Sequence, residues 1–386
     1  MVDTVGTDVG FTAEEEAFRG EVLSFLTGYQ GLDGYFHRRE SSAEGVRKLY
    51  RALGERGWLS LSWPREFGGM GRSPAYEFIL WDEMAYARVA RPPMGPGLVA
   101  KALMAHGTPE QCARFLPDLR LGRTNFCLGY SEPDAGSDLA AVRTRATPLA
   151  DGPDGPGWYE VDGAKCWTSN AHWADHIWLL CRTGAADSRS RGLSVLIVPL
   201  DRPGVTVSPI PTHDGGRLNE VRFEGVRVPA ADRVGAENDG WRVVASALAV
   251  ERHVQFPPKR LRRDLRDLVA WTGRTGLDGD PVVRRRLSGL AVRVAEVEAL
   301  ALALLGEIIS GRPSAVPAAH HKLAGTLLTQ DIARAAMEFG NSEALIKDSD
   351  VEFMWRQAIL ETIGGGTSEV MRGLVARQAF GLDSRG

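Results

Sequence analysis

Between residues 123 and 236 the apolar residues of this chain alternate in short runs broken by Gly, Pro and Asp, whereas on both sides they recur at helical spacing. The layout is therefore helices, then a small β domain, then helices again. The strand-like runs are Asn125–Ser131, Trp158–Val161, Ala164–Thr168, His176–Arg182, Leu193–Leu200, Val205–Ile210 and Glu220–Val228. Asp162-Gly163 between two of them predicts a hairpin turn, because both turn residues need positive φ. The Gly/Pro-rich stretch Asp151–Gly157 reads as a surface loop.

Helices are expected at Phe11–Leu26, Val46–Arg56, Tyr76–Arg88 and Pro109–Leu121 before the β segment. After it they are expected at Trp241–Val254, Lys259–Thr275, Pro281–Gly311, Ser314–Gly340, Val351–Ile363 and Ser368–Phe380. Thr12 with Glu15 three residues on fits a capping box. The fold class is therefore α+β, in three parts: an N-terminal helical domain (1–122), a central β domain (123–236) and a C-terminal helical bundle (237–386).

Bulk properties exclude several roles. The 386 residues are 44% hydrophobic and 25% charged with net charge -3, which offers no basic excess for nucleic acid or an anionic membrane. The most apolar helical run, Ala295–Ser310, contains Glu296, Glu298 and Glu307 and reads as a buried helix, not a membrane span. The start, Met1–Gly6, has neither a basic segment nor an apolar core, so no signal peptide is expected. Four cysteines (Cys112, Cys127, Cys166, Cys181) without CxxC spacing argue against a disulfide framework or a zinc site and fit a reducing cytoplasm. His320-His321 lacks a nearby third ligand, so no metal site is expected.

Four motifs, in order and spread over nearly the whole chain, resemble those of the acyl-CoA dehydrogenase family. They are Phe126-Cys127-Leu128-Gly129-Tyr130-Ser131-Glu132-Pro133-Asp134-Ala135-Gly136-Ser137-Asp138, Lys165-Cys166-Trp167-Thr168-Ser169-Asn170, Phe223–Pro229, and Gly364-Gly365-Gly366-Thr367-Ser368-Glu369-Val370-Met371-Arg372. The resemblance implies FAD as cofactor and removal of two hydrogens from the α and β carbons of an acyl thioester. It implies that Ser131 and Ser169 bond the flavin ring, that Trp167 covers it, and that Ser137 faces both cofactor and substrate. Leu128, Tyr130, Thr367 and Glu369 complete the implied cofactor contacts, with Glu369 toward the distal half. Small and hydroxylic residues at strand ends suit a partly apolar ring with hydrogen-bonding edges. Asp138, after the Gly-Ser turn, is expected to cap a backbone group.

Most of the family takes its catalytic base from a Tyr-Glu-Gly-Thr run, and here Gly365 stands at the carboxylate position. Other members place the base on the first long C-terminal helix directly before an Arg, which matches Glu251-Arg252. Glu251 is thus the candidate base, with Arg252 beside the substrate. The backbone N–H of Gly365 remains able to donate to the thioester carbonyl. The family's phosphate-contacting Arg corresponds to Arg274, with Arg285 nearby, but the Phe and Gln that accompany it elsewhere are replaced. Expected partners are an acyl thioester, an electron-transferring flavoprotein and further subunits in a homotetramer or heterotetramer. A catalytically silent subunit and a flavin monooxygenase on the same fold remain open alternatives.

Overall fold

The computed structural model describes residues 10–32, 34–35, 42–149, 157–312, 315–340 and 342–382, and their side chains except at 42, 247–253 and 343. In chain order the first helices are α1 (Ala13–Leu26), α2 (Ser42–Glu55), α3 (Pro74–Tyr86), α4 (Ala100–His106) and α5 (Pro109–Arg120). The strands are β1 (Phe126–Gly129), β2 (Arg145–Leu149), β3 (Trp158–Thr168), β4 (His176–Arg182), β5 (Leu193–Pro199), β6 (Val205–Pro211), β7 (Arg217–Pro229) and β8 (Arg233–Val234). Then come α6 (Gly240–Gln255), α7 (Lys259–Arg274), α8 (Pro281–Ile309), α9 (Ala315–Gly340), α10 (Asp350–Glu361) and α11 (Ser368–Phe380). No described helix is long and apolar enough to cross a membrane.

The chain divides into two compact units. One comprises Met1–Phe36, Arg72–Arg91 and Arg252–Gly386, the other His37–Gly71 and Pro92–Glu251. In the first unit α7, α8 and α9 pack through Leu261, Leu265, Leu268, Leu290, Val294, Val297, Leu328 and Ile332, whose spacing of three, four and seven puts one apolar stripe on each helix. The capping box at α1 is present: Glu15 N–H donates to Thr12 Oγ1 (3.2 Å) and Thr12 N–H to Glu15 Oε2 (2.8 Å).

The second unit is built on one sheet with strand order β6-β7-β3-β2-β4-β5-β8, and β1 joins parallel to β4. Alternation along the central strands feeds two cores. Trp178 and Leu180 of β4 with Val195 and Ile197 of β5 pack against Leu103, Phe115, Leu119 and Val243 of the covering helices. Ile177, Leu179 and Cys181 point the other way, toward Val161, Val221 and Phe223 of β3 and β7.

One sequence expectation changes. Asp162-Gly163 is no hairpin: β3 runs straight through it from Trp158 to Thr168, with register shifts at Val161/Gly163 and again at Lys165/Thr168. Gly163 takes φ +140°, and a Cβ there would lie 2.7 Å from Thr144 Cα. Asp162 Oδ1 instead accepts the N–H of Gly225 on the next strand's bend (2.8 Å). A bulge and a turn both demand the same left-handed freedom, so the dipeptide marks either. Strand β2, the two-residue β8, helix α4 and the turn of π-helix at Gly95–Val99 that leads into it were not anticipated. Of the expected loop Asp151–Gly157, residues 151–156 lie outside the described residues.

Candidate active site

The β unit ties two of the motifs together from beneath. Lys165 is fully buried and its Nζ donates to Glu132 Oε1 (2.7 Å) and to the carbonyl of Tyr130 (3.1 Å). The same carboxylate accepts the N–H groups of Arg143 (2.6 Å) and Thr144 (2.8 Å). Burial pushes Glu132 upward, but Lys165 and these donors outweigh it and hold the carboxyl below its ordinary range. Beside this pair, Cys166 N–H donates to the Ser131 carbonyl (2.9 Å), so the loop after β1 and the end of β3 are joined through backbone as well. Glu132 and Ala135 close a tight turn by exchanging two backbone bonds.

Some of the side chains beside this knot are exposed. The second bulge of β3 sets Trp167 at φ +60°, and its ring is 56% exposed although the flanking Cys166 and Thr168 are buried. Left-handed backbone at a bulky residue is costly and concentrates where a side chain must be aimed. Ser169, two residues on, is exposed, as is Ser137; Ser131, Tyr130 and Leu128 are half-buried. Asn219 fixes the strand end from below, its Nδ2 donating to the Thr168 carbonyl (2.9 Å). Asp138 does not cap a backbone group: it receives both guanidinium nitrogens of Arg189 (3.0 and 2.6 Å). At the end of β3 an exposed indole, an exposed hydroxyl and a strained backbone suit an aromatic ligand with hydrogen-bonding edges.

In the helical unit, the loop between α10 and α11 turns through Gly365 at φ +69° and Gly366 at φ +97°. A Cβ on Gly365 would stand 3.2 Å from Cζ of Phe256. Thr367 caps α11 by accepting the N–H of Val370 (3.2 Å), and the exposed Glu369 lies 3.5 Å from Arg372. Arg274 ends α7, exposed. Glu251 and Arg252 fall on α6, but their side chains lie outside the description.

Known proteins show the same organisation. The acyl-CoA dehydrogenase N-terminal, middle and C-terminal domains match residues 12–123, 127–226 and 238–380. Acyl-CoA dehydrogenase FadE26 of Mycobacterium tuberculosis is 35% identical, over 97% of this chain and 98% of its own. The chain belongs to the acyl-CoA dehydrogenase family.

Members of that family are flavoprotein oxidoreductases acting on CH–CH groups of acyl-CoA. Acyl-CoA dehydrogenase IpdE1 of Mycolicibacterium smegmatis is 34% identical over 96% of this chain and 98% of its own. Among solved structures, one described as Tcur3481-Tcur3483 steroid ACAD superimposes with TM-score 0.87 at 32% identity, covering 97% of this chain and 99% of that one. The ChsE4-ChsE5 complex from Mycobacterium tuberculosis follows at TM-score 0.85 and 35% identity, with the same coverage. Trp167, Ser169 and Ser137 are exposed on the β unit. Sequence reasoning missed the buried pair that joins the two motif segments, Glu132 and Lys165, although both lie inside the motifs it singled out. Of the histidine pair, His320 is exposed and His321 buried.

Proposed function

We propose that this chain is an FAD-dependent dehydrogenase that removes the α and β hydrogens of an acyl thioester, with Glu251 as the base. The observation that carries the assignment of the base is Gly365. The position where most relatives carry the carboxylate has no side chain, a left-handed backbone and the Phe256 ring close to where a Cβ would be. The α-proton must then be taken by another residue, and Glu251 with Arg252 on α6 supplies the matching pair.

When bound, the flavin supplies the hydride acceptor. The protein's own part is positional and acid–base. Trp167, Ser169 and Ser131 seat the ring, with Leu128, Tyr130 and Ser137 around it and Thr367, Glu369 and Arg274 toward the rest of the cofactor. The Gly365 N–H donates to the thioester oxygen, which makes the α-proton more acidic, and Glu251 removes that proton. Three glycines at 364–366 leave room for a bulky acyl group. The likeness to a steroid ACAD supports a polycyclic or branched acyl chain, and the likeness to a two-component complex supports assembly with a second subunit type. An electron-transferring flavoprotein is the proposed reoxidant, and the three-part division at 122/123 and 236/237 is the proposed domain arrangement.

The test is anaerobic. The purified protein is mixed with a panel of acyl-CoAs, bulky ones included, and its flavin absorbance followed. Bleaching by one of them that disappears in Glu251→Gln supports the proposal. Bleaching that persists in that variant defeats the base assignment, and bleaching that appears only with a partner subunit and survives Glu251→Gln favours a silent-subunit role.

A further inference from the structure

The Gly364–Gly366 loop carries no side chain that could hold it in place, yet α9 grips it at both ends. At the entry, Gln330 Nε2 donates to Thr362 Oγ1 (3.1 Å). At the exit, Lys322 Nζ donates to the carbonyl of Gly366 (2.5 Å). Lys322 and Gln330 are about two helical turns apart, so both project from one face of α9. Lys322 is completely buried, and its Nζ lies 5.7 Å from the centroid of the Phe256 ring. The same ring flanks Gly365. One lysine, one aromatic ring and two left-handed glycines thus form a single packed cluster within the helical unit.

We infer that Lys322 is a positioning residue for the thioester carbonyl: it locks the Gly365–Gly366 turn so that the Gly365 N–H is already aimed when substrate arrives. This rests on the proposed role of that N–H. A run of glycines has the most backbone freedom of any sequence and would lose a fixed donor direction without an outside anchor. A buried ammonium supplies one, because the Gly366 carbonyl cannot swing away without giving up a charge-assisted hydrogen bond. Phe256 completes the lock by closing the side of the turn toward which Gly365 would otherwise shift. A donor whose direction is set before the reaction stabilises developing negative charge without reorganising.

The experiment uses the flavin-loaded full chain. An acyl-CoA with no hydrogen on the α or β carbon binds without reacting, and its isotope-labelled carbonyl stretch reports polarisation. In the unaltered protein the band is shifted to lower frequency than in water. In Lys322→Met that shift falls by at least half, and the rate of flavin bleaching by a reactive acyl-CoA drops about 10- to 100-fold. Flavin content and Tm stay close to those of the unaltered protein, and Lys322→Arg restores most of the band shift. Should Lys322→Met fail to fold, Lys322→Gln is used, which keeps a donor but shortens its reach. An unshifted band in the folded replacement relative to the unaltered protein overturns the inference. Glu251→Gln separates the two proposals: it stops bleaching but keeps the band shift if both hold, whereas bleaching without Glu251 defeats only the base assignment.

Discussion

Lys165 Nζ sits 2.7 Å from Glu132 Oε1 with both side chains buried, and this pair joins the two strand ends that carry the proposed flavin-contacting residues. The carboxylate also satisfies two backbone N–H groups, so its removal strands three donors at once. Glu132→Gln is expected to destabilise the protein by about 3–5 kcal/mol, the cost of breaking a buried pair from one side. Because Arg143 and Thr144 would still need acceptors, replacing Glu132 and Lys165 together by apolar residues does not recover the loss. Urea unfolding of the single and double variants measures this; full recovery in the double variant contradicts it.

Trp167 offers the opposite case. Its ring is 56% exposed, so Trp167→Ala removes little packing and is expected to change stability by no more than about 0.5 kcal/mol. Flavin retention through gel filtration is expected to fall all the same, since the bulge that aims this ring has no role in the strand ladder. The ratio of flavin to protein absorbance after filtration, with Tm measured in parallel, gives the answer. Equal loss of both would show that Trp167 is a core residue.

These two positions show how far the fold and site can be read from sequence. Most helices and strands follow from apolar spacing, and Trp167 and Ser169 enter as candidates from the motif that contains them. Lys165 is different: its partner lies 33 residues away, and nothing in a strand's alternation tells a buried lysine from a solvated one. Asp162-Gly163 misleads for a physical reason, since positive φ serves a bulge as well as a turn. β2 is hidden because Arg145, Thr147 and Pro148 leave it no apolar run. At Gly365 the loss of a carboxylate is plain in the sequence, but the left-handed backbone and the ring of Phe256 against it are not.

Glu361 lies at the end of α10, bonded by Arg91 (2.7 Å) and Arg260 (2.6 Å). Burial alone would push its carboxyl up, but Arg260 and Arg91 hold it at about 2, below the ordinary 4.5. A depressed carboxyl contributes stability that is present above 4.5 and lost as pH falls through about 2. Glu361→Gln is therefore expected to cost about 3 kcal/mol at neutral pH and to flatten the stability profile between those two values. Denaturant unfolding across that window tests it; an unchanged acid limb rules it out.

Asp82 is shifted the other way. It is buried on α3 and accepts the Lys259 N–H (2.8 Å), yet burial outweighs Lys259 and raises its carboxyl to about 7. A raised carboxyl favours the folded state while protonated, so its contribution is full below 3.8 and is lost as pH rises through about 7. Asp82→Asn keeps an acceptor for Lys259 and cannot ionise. Its Tm is expected to exceed that of the unaltered protein by a few degrees at about pH 8 and to match it at about pH 4. Calorimetry at both values decides; equal Tm at the higher pH contradicts the shift.

Gly365 permits a stricter test of where the base resides. If the loop between α10 and α11 could still present a carboxylate, Gly365→Glu would rescue Glu251→Gln. The geometry argues against rescue on two counts. A side chain at φ +69° costs roughly 1–2 kcal/mol of backbone strain, and its Cβ would press on Phe256 at 3.2 Å, tighter than ordinary contact. Relieving either means turning the peptide, which withdraws the Gly365 N–H from the thioester oxygen as the new carboxylate arrives. The double variant is expected to bind flavin, to hold an acyl-CoA, and to bleach at less than about one-hundredth of the unaltered rate. Adding Phe256→Ala removes the contact but leaves the left-handed backbone, so it returns little. Recovery of bleaching in the double variant to a substantial part of the unaltered rate would show that the vacated position still reaches the α carbon, and that Glu251 holds its role by history and not by geometry.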